Sequence, residues 1–448
     1  MNTVTTTAAP HVPVLIVGAG QAGLSLSVYL QQRGIGHLLL DKHAPMHAWR
    51  HQRWDNFCLV TPNWQCKLPG HEYTGDDPHG FMKKKEVIAW LDAFLLKVNP
   101  PVRTGVTVKL VQPRAEGGYL VQTSVGDYTA DQVVVSSGGY HLPIVPRLAE
   151  RLPRGILQLH SEQYRNADQL PPGGVLVVGS GQSGAQIAED LHLAGRRVHL
   201  AVGDAPRCAR FYRGRDVVDW LADMGYYDMP VDKHPLREGV RDNTNHYVTG
   251  RDGGRDIDLR AFANQGMQLY GLLRELDDTG AADGAPTLRF DDTLAAALDR
   301  ADQTYNGINA AIDQHIAKLG LDADGALPPP SRYEPVWQPQ AVNEPGPNPH
   351  TQLDLAAQGI TTVLWCIGFQ PDFAWVQAPV FNGRGQPVHQ RGVTGQPGLY
   401  FLGLPWLHTW GSGRFSGVAR DAMFLAEQIE GGMAQGLGER LTRGELVT

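Results

Sequence analysis

Val14-Leu15-Ile16-Val17-Gly18-Ala19-Gly20-Gln21-Ala22-Gly23 decides the fold of this chain. The apolar run reads as a buried strand, Leu24 to Gln32 reads as helix, and the glycines occupy the turn between them. The pattern returns as Val175-Leu176-Val177-Val178-Gly179-Ser180-Gly181-Gln182-Ser183-Gly184, with helix expected over Ala185 to Ala194. In such a turn the first glycine permits the tight bend, and the second lets backbone approach a pyrophosphate. The third lets the helix pack on the strand. Unpaired N–H groups at the helix start, carrying about half a positive charge, then face the phosphates. One Gly-x-Gly-x-x-Gly is a weak signal. Two, each behind a valine-rich strand, predict two dinucleotide sites and an α/β fold with two Rossmann-like domains.

The residues beyond each turn separate the two sites. Gly34-Ile35-Gly36 forms a turn, and His37 to Leu40 reads as a strand ending on Asp41. A carboxylate there accepts hydrogen bonds from an adenosine ribose, although a solvated strand end has the same appearance. The strand expected at Arg197 to Val202 ends without an acid; Arg207 and Arg210 come next, and Asp204 lies there also. Guanidinium groups in that place suit a 2′-phosphate, so the second site is expected to take NADPH rather than NADH; ordinary solvated loop arginines remain the alternative.

Bulk properties agree with an enzyme. At 448 residues the chain has room for about two or three domains. Hydrophobic residues make up 42% and charged residues 19%, which are globular values. The 39 basic residues against 46 acidic form no long block, which argues against nucleic acid as a partner. Met1 to Pro13 lacks the charged and apolar regions of a signal peptide. No apolar stretch reaches the roughly 18 residues of a membrane span. Cys58, Cys66, Cys208 and Cys366 form no Cys-x-x-Cys, which fits a reducing cytoplasm and removes a thioredoxin-reductase-type redox motif. The 17 histidines show no metal-ligand spacing, so no metal is expected.

Several stretches carry a family resemblance. Trp49-Arg50-His51-Gln52-Arg53-Trp54-Asp55-Asn56-Phe57-Cys58-Leu59-Val60-Thr61-Pro62-Asn63 is similar to the flavin-proximal segment of class B flavin-dependent monooxygenases. Leu68-Pro69 and Phe81 to Phe94 resemble the plant auxin-forming members. Val133-Val134-Val135-Ser136-Ser137-Gly138, with Pro143 and Pro146 behind it, resembles the family's strand-then-Ala-Thr-Gly signature, with serines replacing Ala-Thr. His160-Ser161 with Tyr164, Val363 to Phe369, and Leu399-Tyr400-Phe401-Leu402-Gly403 occur in the family's order. The fingerprint before the second turn departs from the pattern: Pro153 stands where an aromatic is expected, and His160 is one residue late relative to Gly155. Asn56 to Trp64 and Tyr247 to Ala263 further resemble bacterial flavin oxidoreductases encoded in nitrilase gene clusters.

The resemblance implies FAD at the first turn and NADPH at the second, with the NADPH domain inserted into the FAD domain. FAD is then expected on Gly18, Gly20, Gln21, Ala22, Gly23, Asp41, Lys42, Trp49, Arg50, Ser137, Gly138 and Gly403. NADPH is expected on Gly179, Ser180, Gly181, Gln182, Ser183, Gly184, Arg207 and Arg210. NADPH would reduce the flavin, dioxygen would add to form a C4a-(hydro)peroxide, and a small nucleophilic, nitrogen-containing metabolite would be oxygenated. Asn63 is the candidate amide beside that peroxide, with a Pro62-Asn63 turn dipeptide as the alternative. Two other classes stay open: an NAD(P)H-dependent flavin reductase without oxygen insertion, and a nucleotide-sensing flavoprotein of negligible turnover. A homodimer is also left open.

The expected organisation is a first FAD part over 11–164, an NADPH domain with an atypical insertion over 165–350, and a second FAD part over 351–448. Within the insertion, Leu294, Leu298, Ala301, Tyr305, Ile308, Ile312 and Leu319 recur at helical spacing and predict a long amphipathic helix. Pro328 to Pro349 reads as a linker or a pocket wall. Trp406, His408 and Trp410 are candidates for a substrate wall, and equally for core.

Overall fold

A computed structural model describes residues 9–277, 286–339 and 348–442. Part of the Pro328–Pro349 connection and most of the Met1–Pro13 segment lie outside those residues. In chain order the first elements are β1 (His11–Val17), α1 (Gln21–Gln32), β2 (His37–Asp41) and α2 (Lys84–Val98). β3 (Val102–Thr104), β4 (Val108–Pro113), β5 (Tyr119–Thr123) and β6 (Gly126–Val135) come after them. Next are β7 (Leu157–His160), β8 (Gly174–Val178), α3 (Gln182–Leu193), β9 (Val198–Ala201) and β10 (Gln268–Tyr270). The chain ends through α4 (Leu294–Leu319), β11 (Ile360–Trp365), β12 (Leu399–Phe401) and α5 (Val418–Thr442).

Two parallel sheets organise the molecule. In the first, β12, β6, β1, β2 and β3 lie side by side, all parallel, and the β4–β5 hairpin pairs with β6. The register sets Val17 beside both Leu40 and Val135, so the three strand ends that meet the first glycine turn are level. One face packs Leu24, Leu26 and Leu30 of α1 against Phe94 of α2 and Leu425 of α5. Removing a leucine of this kind from water stabilises by roughly 1.5–3 kcal/mol. The other face is covered by the hairpin through Tyr119 and Val121.

The second sheet runs β7-β11-β8-β9-β10, again wholly parallel. Here the chain differs from the expected organisation. Thr361 to Phe369 was expected to return to the first sheet at about residue 351, but β11 lies between β7 and β8. β7 likewise belongs to the second sheet, although its residues fall in the expected first part. The first sheet regains the chain only with the strands His389–Gln390, Val393–Thr394 and β12. A buried Val/Leu run satisfies either sheet equally, so its sequence does not say which neighbours it takes. α4 forms where the spacing predicted it. Its Ile312 and Ile316 cover Trp220 and Val217 of the inserted segment.

Candidate active site

Both glycine turns have the geometry their sequences require. Gly18 and Gly179 have φ of +108° and +101°, where a side chain is strained. A Cβ on Gly18 would also stand 2.7 Å from Ser136 O, and one on Gly179 2.7 Å from Cys366 O. Gly23 and Gly184 admit no Cβ at all, because it would collide with the carbonyl oxygens of Gly18 and Gly179. The middle glycines behave differently. A Cβ on Gly20 would meet no protein atom, and one on Gly181 would meet only Thr244 Cγ2 at 3.5 Å. Protein packing therefore explains the outer glycines, while the middle ones leave their backbone open to approach, as a pyrophosphate would require. Each turn opens a twelve-residue helix whose first N–H groups face that space.

Around the first turn, Asp41 ends β2 and accepts from Ala19 N and His43 N, both at 2.7 Å. Each carboxylate oxygen keeps a lone pair for a ribose hydroxyl. Lys42 beside it is exposed. Gln21 accepts from Trp49 Nε1 at 3.0 Å and donates to Gly413 O at 3.1 Å. Ser136 Oγ donates to the carbonyls of Val17 and Gly18, and Ser137 Oγ contacts His141 Nε2 at 3.1 Å. Gly138, at φ +80°, has nothing where a Cβ would be. Gly403 instead presses on Ala22, where a side chain would collide with the Ala22 Cβ. At the second turn, Ser180 Oγ receives Gly203 N at 3.0 Å, Gln182 donates to Val248 O at 2.7 Å, and Ser183 is exposed.

Four expected residues are engaged elsewhere. Arg50 pairs with Asp92 on α2. Arg207 is buried between Asp302 and Asp258, 3.1 and 3.4 Å away, with its guanidinium 3.9 Å from the Tyr333 ring. Arg210 is buried too, paired with Asp216 and donating to Val60 O at 2.6 Å. Neither is available to a 2′-phosphate, because both charges are already neutralised by carboxylates drawn from other positions. The exposed guanidinium just beyond β9 is Arg300 of α4, paired with Asp204. Asn63 is buried, with Nδ2 donating to Asp77 O at 2.9 Å and Oδ1 accepting from Met82 N at 2.8 Å. Its amide fastens the 77–82 loop, and Nδ2 keeps a second N–H beyond that bond.

Two other arginines, which the motifs alone do not single out, stand at the seam between the sheets. Arg53 lies 5.1 Å from the Trp49 ring centroid, and Arg414 lies 3.9 Å from that of Trp410. Burial pulls both guanidinium groups below their ordinary value, and the Tyr140 phenol opposes the shift in each. Arg53 stands four residues after Trp49, and Arg414 comes directly after Gly411-Ser412-Gly413, so proximity to those stretches is the signal that could have found them. The seam itself is tied by Asp190 of α3, which accepts from Tyr164, Asn56 and Arg251 at 2.7–2.9 Å. Trp406 packs with Val231 and Val240, so it is core, while Trp410 is half-buried against Tyr227. His408 is half-buried; its N–H donates to Ser412 Oγ, and its carbonyl accepts from Val231 N at 2.7 Å.

Residues 15–221 match the family model described as pyridine nucleotide-disulphide oxidoreductase. An "uncharacterized oxidoreductase CzcO-like" of Geobacillus kaustophilus is 31% identical over 424 residues, spanning 93% of this chain and 98% of that one. The indole-3-pyruvate monooxygenase YUCCA4 of rice, Oryza sativa, is 30% identical over 209 residues, covering 42% and 47% of the two chains. A mutant flavin monooxygenase from Stenotrophomonas maltophilia superposes with a TM-score of 0.60 at 19% identity, covering 94% and 98%. The chain belongs to the family of the CzcO-like oxidoreductases, and its fold is that of the flavin monooxygenases. It is an oxidoreductase by that membership, and its two open glycine turns suit dinucleotide cofactors such as FAD and NADPH. Among the described residues, no helix is long and apolar enough to cross a membrane, and no cluster suits a metal ion.

Proposed function

We propose that this protein oxygenates a small nucleophilic metabolite, nitrogen ahead of sulfur or carbon, by way of C4a-(hydro)peroxide chemistry. Bound flavin supplies electron storage and oxygen activation; the chain holds the cofactors, shields them and orients the substrate. The observation that carries the reading is the pairing of two open phosphate cradles with unreactive cysteines. Cys58, Cys66, Cys208 and Cys366 are all free thiols. Burial pushes Cys58 up to about 11 and the other three to about 12, so thiolate is scarce at neutral pH. A thiol relay of the disulfide-reductase kind has no support in such groups, and a diffusible acceptor such as dioxygen takes the electrons instead. The preference for nitrogen rests on the resemblance of Asn56–Trp64 and Tyr247–Ala263 to oxidoreductases of nitrilase gene clusters. A subunit working alone or in a homodimer in the cytoplasm is the accompanying reading.

The test is stopped-flow absorbance of the purified yellow protein, reduced anaerobically with NADPH and mixed with oxygenated buffer. An oxygenated-flavin spectrum that persists while NADP⁺ is bound is the expected result. Direct return to oxidised flavin, with one peroxide released per NADPH in the presence of amines, sulfides and ketones alike, would sink the proposal in favour of a reductase.

A further inference from the structure

The chain passes between its two parallel sheets twice, out through residues 136–156 and back through residues 366–388. The two passages run side by side. Leu142–Pro143 pairs antiparallel with Phe369–Gln370, and Ile144 N donates to Gly368 O at 3.0 Å. His141 stands at the start of this pairing and reaches both ways. Its Nδ1 lies 2.8 Å from Asp372 N on the returning passage, and its Nε2 lies 3.1 Å from Ser137 Oγ. Ser137 borders the first glycine turn, since a Cβ on Gly18 would stand 3.1 Å from Ser137 N.

These contacts fix the proton on the ring. A backbone N–H can only donate, so Nδ1 accepts from Asp372 N and the neutral ring carries its hydrogen on Nε2. Nε2–H then donates to Ser137 Oγ, which leaves the hydroxyl hydrogen pointing away from His141. Among the described residues Ser137 Oγ has no other partner, and Ser137 is exposed beside the open Gly138. A hydroxyl that already accepts one hydrogen bond is a stronger donor for the next. A second proton on the ring reverses the arrangement, because Nδ1–H would face Asp372 N–H, donor against donor. His141 is half-buried, with its ring edge-on to Phe373 at 5.0 Å. Burial lowers its pKa from the ordinary 6.5; Ser137, Asp372 and Gly138 oppose that shift, and Lys42 adds to it. Among the described residues Asp372 and Lys42 are the charged groups that face the ring.

We propose that His141 is a positioning residue of the FAD site, whose neutral Nε2–H form turns the Ser137 hydroxyl outward as a donor to an FAD oxygen at the first glycine turn. This rests on FAD occupying that turn. Protonation of His141 breaks its bond to Asp372, releases Ser137 and loosens the pairing of the two passages. FAD affinity is therefore full above pH 6.5 and falls as the pH drops below it.

The test titrates FAD into the full-length chain stripped of flavin, following flavin fluorescence from pH 8 to pH 5.5. His141→Gln keeps an acceptor for Asp372 N and a donor for Ser137 but does not titrate. Parent affinity is expected to fall at least fivefold across that range, and His141→Gln affinity less than twofold. At pH 8, His141→Ala and Ser137→Ala should each weaken FAD about tenfold, and the double variant no further. A histidine that only stabilised the fold would add its own loss to that of Ser137→Ala. Nitrogen NMR of the histidine-labelled parent, free of FAD, should show Nδ1 of His141 without a proton at pH 8. Parallel pH curves for parent and His141→Gln, affinity that rises on acidification, additive losses, or the Nδ1–H tautomer each overturn the proposal. A parent chain that takes up no FAD at any pH overturns the FAD site as well, which separates that failure from the others.

Discussion

Arg207 Nε lies 3.1 Å from Asp302 Oδ1, inside the protein, under the Tyr333 ring. The pair joins the segment after β9 to α4, so the guanidinium that the sequence offered to a coenzyme phosphate is a bolt for the insertion. Burial raises the Asp302 carboxyl and the Arg207 charge opposes it. Arg207→Met leaves Asp302 and Asp258 without that partner, a change that costs about 3 kcal/mol for a broken buried pair. Urea unfolding should show the loss, while the ratio of KM for NADH to KM for NADPH stays at its wild-type value. A shift of that ratio toward NADH would return Arg207 to the coenzyme site.

Arg300 is the group that should set coenzyme preference. It pairs with Asp204 just past β9, where the ribose of the second dinucleotide is expected, and both side chains are exposed. A 2′-phosphate displaces the aspartate as the partner of Arg300; a 2′-hydroxyl does not need to. Arg300→Ala should therefore weaken binding of 2′,5′-ADP about tenfold, or about 1.4 kcal/mol, with 5′-AMP little changed. Calorimetry with the two nucleotides reads this directly, and equal loss for both would exclude the role.

Much of this was legible in the sequence because it is local. The two turns, the Asp41 strand end and the 3-and-4 spacing of α4 are each written within a few consecutive residues. What was not legible depends on partners far along the chain. Arg207 finds its carboxylates at 258 and 302, and Asn63 finds its backbone partners at 77 and 82. A buried strand such as β11 reads the same in either sheet.

Gly20 and Gly23 should fail in different ways. Gly23→Ala drives a Cβ into Gly18 O, backbone against backbone, so the variant should be largely insoluble or melt well below the parent. Gly20→Ala meets no protein atom and should fold with an unchanged melting temperature once stripped of flavin. Its methyl group instead occupies the space kept for a pyrophosphate, and FAD should be retained at least tenfold less tightly. Apoprotein melting and FAD titration together separate the two outcomes. Normal FAD affinity in Gly20→Ala would mean that no phosphate approaches that backbone.

Asn63→Ala should act on the loop before it acts on the chemistry. It removes the acceptor for Met82 N and the donor to Asp77 O, and a buried polar group left without a partner costs about 1–3 kcal/mol. Limited proteolysis is expected to cut the variant within residues 77–82 faster than the parent. A protease-resistant variant with a shortened oxygenated-flavin lifetime would instead favour a direct part for the amide.

Acid stability should carry the mark of His199, which is wholly buried in β9 with Nδ1 2.9 Å from the Tyr270 hydroxyl. Burial, with Arg197 adding to it, lowers its pKa from 6.5 to about 4. Between those values the unfolded chain takes up a proton that the folded chain refuses. The stabilisation is therefore fully present above 6.5 and is lost as pH falls from 6.5 toward 4, by about 3 kcal/mol in all. His199→Gln keeps a polar side chain but removes the titration. Its urea midpoint at pH 7 should be lower than the parent's, yet it should fall less between pH 7 and pH 5. Parallel curves for the two proteins would show that other groups set the acid limit.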